Sequence, residues 1–164
     1  MMTEKENFIQ LEKNNVLKVK IKNSLGEDTG EYLTFDLEDI ELPLRLSECD
    51  EKHRKNMEFL KSQLIIIDKK EDHKGKKILS WKEEEKIKLL QKVYKMEMEA
   101  LDLFIGEGKT QMLLDLMGRK PYLTMYDDIG RIIEPILPQL KINADSIANK
   151  IKAKYSSKDE DVIE

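Results

Sequence analysis

The sequence predicts a mainly α protein of the α+β class: a helical bundle built on a long antiparallel helix hairpin, with a small N-terminal β-hairpin. Three observations predict it. Two long stretches carry apolar residues at steps of three and four, separated by the polar run "DKKEDHKGKK" at 68–77. Two short stretches near the start alternate apolar and polar residues around a Gly-containing turn. Charged residues make up 38% of the chain and aromatics 6%, which suits helices with solvated faces better than a β-sandwich.

The hairpin comes first. In "LKVKIK", residues 17–22, Leu17, Val19 and Ile21 alternate with lysines, the period of a half-buried strand. "NSLGEDTGE" supplies turn residues, Gly26 and Gly30 among them, and "YLTFDL" then places Leu33, Phe35 and Leu37 on one face. A lone hairpin is marginal in water, so this one is expected to pack on helices or to pair with another chain.

A long helix is predicted from about Pro43, a residue tolerated in a first turn because its missing N–H has no partner there. Its stripe runs Leu46, Cys49, His53, Met57, Leu60, Leu64 and Ile67. A second helix starts at Ser80, with Glu83 as its capping-box partner, and its stripe is read as Ile87, Leu90, Tyr94, Met98, Leu101 and Ile105. Two such helices joined by a polar loop form an antiparallel pair.

After Gly106 and Gly108, "TQMLLDLMG" predicts a two-turn helix stopped by Gly118. Pro121 introduces a further helix that offers Tyr122, Met125, Ile129, Ile132, Ile133, Ile136 and Leu137 to the core. Pro135 should kink or end it near Ile133 or Glu134, and Pro138 should close it. "NADSIANKIKAKY" gives a last helix with Ile147, Ile151 and Tyr155 on one side. The expected organisation is a β-hairpin segment packed on the helices over 1–40, a helical domain over 41–155 and a disordered acidic tail over 156–164.

Composition narrows the function classes. The net charge of −4 and a pI near 5.4 give no general attraction for nucleic acid or anionic membranes. The single cysteine, Cys49, excludes an intrachain disulfide. "MMTEKENFIQ" lacks the layout of a secretory signal, and the longest apolar run, Leu64–Ile67, is far short of a membrane span. A soluble cytosolic protein is the expectation.

The most tempting motif is "FIGEGKTQ" at 104–111, whose Gly-Lys-Thr looks like the end of a nucleotide-binding loop. That loop needs a glycine five residues before Gly108, where this chain has Leu103, and a strand rather than a helix before it. The plainer reading makes Gly106 a left-handed helix cap and Thr110 an N-cap of the next helix. Cys49 and His53 share a helix face, but a metal would need two more ligands and a nucleophile pair would need an orienting third group. Glu97, Glu99 and Asp102 cluster in sequence without forming a recognisable acid–base pair, and Asp127 and Asp128 diverge around their helix. No residue is assigned a catalytic, cofactor-binding or metal-binding role, and no cofactor is expected. Methionines at 96, 98, 112, 117 and 125 suit adaptable protein contacts as well as core filling.

From residue 17 onward the chain resembles a family of tail assembly chaperones encoded by long-tailed phages and prophages of Gram-positive bacteria. The hairpin leads into "TFDLEDIELPLRL", and "NMEFLKSQLIIIDKK" follows. "KMEMEALDLFIGEGKTQMLL" and "GRKPYLTMYDDIGRIIEPILP" complete the likeness, which covers about four-fifths of the chain. The resemblance implies a non-enzymatic protein of the bacterial host cytoplasm that binds the tape measure protein and tail tube subunits and is not found in the mature virion. It brings no catalytic residue. Phe104, Met112, Leu113 and Met117 are the candidate partner-binding residues, as part of an apolar groove receiving client helices. Neither nucleic acid nor membrane is an expected partner; a homo-oligomer formed through an intermolecular sheet is a further expectation. Two alternative classes are a structural tail or baseplate subunit and a phage-borne inhibitor or regulator of a host protein.

Overall fold

Alternation between 16 and 36 produces an antiparallel hairpin of β1 (Val16–Lys22) and β2 (Asp28–Asp36), with Leu17 opposite Phe35 and Val19 opposite Leu33. Ile21, Leu33 and Phe35 are buried on one face while Lys18, Lys20 and Lys22 stay exposed. The computed structural model describes residues 16–163, except for the side chains of 140–144 and 157–163. A C-terminal helix runs through Ile163, over the stretch expected as a disordered acidic tail at 156–164, whereas residues 1–15 of the expected 1–40 segment lie outside the described residues.

Five α-helices follow among the described residues: α1 (Leu42–Asp68), α2 (Trp81–Ile105), α3 (Lys109–Met117), α4 (Met125–Ile133) and α5 (Leu137–Ile163). The protein is mainly α, with α1 and α2 forming the long antiparallel pair that carries the rest. Pro43 stands in the first turn of α1. Ahead of it, Asp39 accepts from the Glu41 backbone N–H at 3.0 Å and pairs with Arg45 at 2.5 Å, which steers the chain from hairpin to helix. These two donors hold the Asp39 carboxyl below its ordinary range. At the start of α2, the Ser80 hydroxyl oxygen accepts from the Glu83 N–H at 3.1 Å, the predicted cap.

Two apolar clusters result. The main one joins Leu33 and Phe35 of the hairpin, Cys49 of α1, Leu101 and Phe104 of α2, Leu113 and Leu114 of α3 and Met125, Ile129 and Ile133 of α4. The hairpin is docked there by Phe35, whose ring stacks on Phe104 with centroids 5.2 Å apart, a pairing worth about 0.5–1.5 kcal/mol beyond the area it buries. The smaller cluster, Leu60, Ile67, Leu89 and Val93, closes the far half of the α1–α2 pair.

Two further sequence readings are corrected. The stripe of α2 is rotated from the predicted one: Leu89, Val93, Glu97, Ala100, Leu101, Phe104 and Ile105 are buried, whereas Ile87 is 45% exposed. The apolar spacing missed the true centre because a carboxylate, Glu97, occupies it. Pro138 does not close a helix either. Pro135 ends α4 as expected, a 3₁₀ turn spans Glu134–Ile136, and Pro138 then stands in the first turn of α5, where its missing N–H costs nothing. Among the described residues no helix is long and apolar enough to cross a membrane.

The packing of the hairpin gives a direct test. Leu33→Ala should lower stability by about 2–5 kcal/mol, as for a cavity in a shared core. Leu25→Ala, at the exposed turn, should change it by less than about 0.5 kcal/mol. Urea denaturation midpoints of the two variants distinguish a docked hairpin from one that folds apart.

Candidate functional site

The segment that resembled a nucleotide loop is built around one side chain. Helix α2 ends at Ile105, and Gly106 (φ 114°, ψ 152°) adopts an extended positive-φ conformation open only to glycine, rather than the predicted left-handed cap. The left-handed residue is Gly108 (φ 77°), which takes the N-cap position of α3 and displaces Thr110 from that role into the helix. Neither has a side chain to cap the helix, so Asp102 does it from the preceding helix. One carboxylate oxygen accepts from Gly108 N–H at 3.0 Å, and the other accepts from Thr110 N–H at 3.0 Å and its hydroxyl at 2.6 Å. A phosphate-binding loop turns such backbone donors toward an anion at a helix N-terminus; here the anion is Asp102.

The four candidate partner-binding residues all belong to or border the main cluster. Phe104 and Leu113 are buried within it, Phe104 against Phe35. Met112 and Met117 are half-buried at its edge. Of the four, the methionines are the ones with surface to offer.

A polar layer separates the two clusters. Glu97, 2% exposed, receives the Asn56 amide at 2.8 Å on one oxygen and lies 2.5 Å from His53 Nδ1 on the other. The His53 ring lies parallel on the Tyr126 ring of α4, with centroids 3.7 Å apart. The Tyr126 hydroxyl donates to the Asp50 carboxylate and accepts the Cys49 thiol at 3.8 Å. Side chains from α1, α2 and α4 thus meet in one network, and among the described residues no buried side-chain N or O lacks a hydrogen bond. A pocket of about 140 Å³ adjoins it, lined by Leu46, Cys49, Leu101, Tyr126, Ile133 and others.

The chemistry open to this network is limited. Burial pushes the Cys49 thiol up to about 11, so no thiolate is present at neutral pH. Burial, with Asp50 adding to it, raises Tyr126 well above the ordinary phenol range. His53 does have an orienting carboxylate, but the thiol four residues away is inert and bonds to Tyr126. Among the described residues no group of three or more His, Cys, Asp or Glu side chains is placed to hold a metal. Asp127 and Asp128 sit in the first turn of α4, where they complement its dipole.

Sequence reasoning singled out Cys49 and His53 but passed over Asn56 and Tyr126 and gave Glu97 no role. A signal existed. His53 and Asn56 fall in phase between Cys49 and Leu60, and Glu97 falls in phase between Val93 and Leu101, so polar residues interrupt both stripes. No protein-family model, curated protein or solved structure matches this chain.

Three outcomes follow from the network. Glu97→Ala leaves the Asn56 amide and His53 Nδ1 without their acceptor and should cost about 3 kcal/mol. In a double-mutant cycle with His53→Ala, the two losses should fall short of additivity by about 0.5–3 kcal/mol. The raised thiol sets a pH dependence: the unfolded chain releases its Cys49 proton near 9.0, the folded chain near 11. The contribution is complete below the lower value and lost as pH rises through the higher. Urea midpoints should fall between these values, and fall less in Cys49→Ala.

Proposed function

We propose that this chain is a non-enzymatic phage tail assembly chaperone that acts in the bacterial host cytoplasm. It binds the tape measure protein and tail tube subunits during tail morphogenesis and leaves before the particle is complete. The observation that carries the reading is α5. Ile147, Ile151 and Tyr155 share one side of this helix at steps of four, and Ile151 and Tyr155 are 53% and 55% exposed. Apolar residues at that spacing on an exposed helix suit a helical client, which buries its own stripe against them. The half-buried Met112 and Met117 add a second, adaptable apolar edge. The acidic balance of the chain, −4 overall, favours keeping an aggregation-prone client in solution. The resemblance carried by "FIGEGKTQ" and "EPILP" supports the same role.

Co-expression with the tape measure protein of the same phage or prophage tests the proposal. The client should stay soluble and co-purify with the wild-type chain. Ile151→Glu with Tyr155→Glu should reduce recovery by about tenfold while helix content is unchanged. Mass spectrometry of finished particles should find no copies of the chain. Undiminished co-purification by the variant, or retention in particles, would overturn the reading.

A further inference from the structure

The tip of the α1–α2 pair holds a pocket of about 270 Å³, lined by His73, Lys74, Lys76, Lys77, Trp81 and Glu84. The loop around it is organised by its own hydrogen bonds. Asp72 accepts from the backbone N–H groups of His73 at 2.9 Å and Lys82 at 3.0 Å, and Trp81 N–H donates to the His73 carbonyl at 2.7 Å. Much of the nearby negative charge is taken up within the loop and the helices beside it. Asp68 pairs with Lys86 at 2.7 Å, and Glu84 lies 3.8 Å from Lys77. Across residues 69–77, five lysines stand against Glu71 and Asp72, in a chain whose net charge is −4. Lys74 and Lys76 line the pocket without an ion-pair partner among the described residues. Beside them Ile78 is 90% exposed.

We propose that this tip is a docking site for a short acidic segment of polypeptide. Lys74 and Lys76 take its carboxylates, and Ile78 takes an adjoining apolar side chain. The geometry favours a peptide over a nucleic acid. A single-strand platform needs aromatic faces free for bases. The Trp81 ring is already stacked by His73, centroids 5.8 Å apart, and approached by the Lys70 ammonium at 5.6 Å. The inference does not depend on the tail-assembly role.

Trp81 is the chain's single tryptophan, so its emission reports directly on this pocket. The full chain is titrated at low salt with a short glutamate-rich peptide carrying one leucine. A saturable change in Trp81 emission is expected, weakened steeply by about 0.5 M salt. Lys74→Glu with Lys76→Glu should weaken binding by about tenfold or more with an unchanged circular dichroism spectrum. Lys150→Glu with Lys152→Glu, the same charge change placed on α5, should alter it by less than about twofold. The proposal is overturned by the absence of a saturable change. Equal weakening in the α5 variant, or tighter binding of a single-stranded oligonucleotide of equal charge, overturns it as well.

Discussion

The burial of Glu97 is the constraint on which the α1–α2 pair depends. A carboxylate 2% exposed is tolerated only where donors meet it, because the cost of desolvating it unpaired is several kcal/mol. His53 and Asn56, three residues apart on α1, supply those donors at one longitudinal register. A slip of one helical turn, about 5.4 Å, would set Glu97 toward the levels of Cys49 or Leu60 and leave it without both partners. Apolar side chains pack in several registers with similar energies, so a polar layer between two apolar clusters serves as a register pin. The stacking of Tyr126 on His53 extends the same constraint to α4.

The layer also divides the molecule into unlike halves. On one side, the hairpin, α3 and α4 converge on the lower part of the α1–α2 pair and share a large cluster. On the other, the buried residues of the cluster come from α1 and α2 alone. Local opening is governed by how many buried apolar contacts must be broken. The far half, with its lysine-rich loop, is therefore held by fewer buried apolar side chains than the hairpin end. A binding surface on α5 and a charged tip on the far half place the two proposed contacts away from the core that holds the fold.

The loop after α2 shows how one side chain can decide the meaning of a motif. Gly106 and Gly108 supply backbone conformations with positive φ, and the N–H groups they release turn inward on Asp102. The same short run of glycines, lysine and threonine serves anion binding in other proteins because its donors face out. Here the acceptor belongs to the preceding helix turn. Local sequence carries the glycines; the direction of the donors comes from the packing of α3 against α2.

Elements set by local spacing were legible in the residues: the alternation at 17–37, the stripe of α1, the Ser80 cap and the break at Pro135. Each depends on interactions within a few residues, which the sequence displays directly. The rotation of α2, the role of Pro138 and the partners of Glu97 were not legible. The rotation of α2 and the partners of Glu97 depend on distant residues being brought together, as Asn56 with Glu97, 41 positions away, whereas Pro138 fits a helix's first turn as readily as its end. The sequence by itself determined where the hairpin and the main helices lie, and which faces of the hairpin and of α1 are apolar, through periodicity and capping. Only the tertiary structure decided that a charged residue lies at the centre of one of those faces, because its cost is offset by side chains from other parts of the chain.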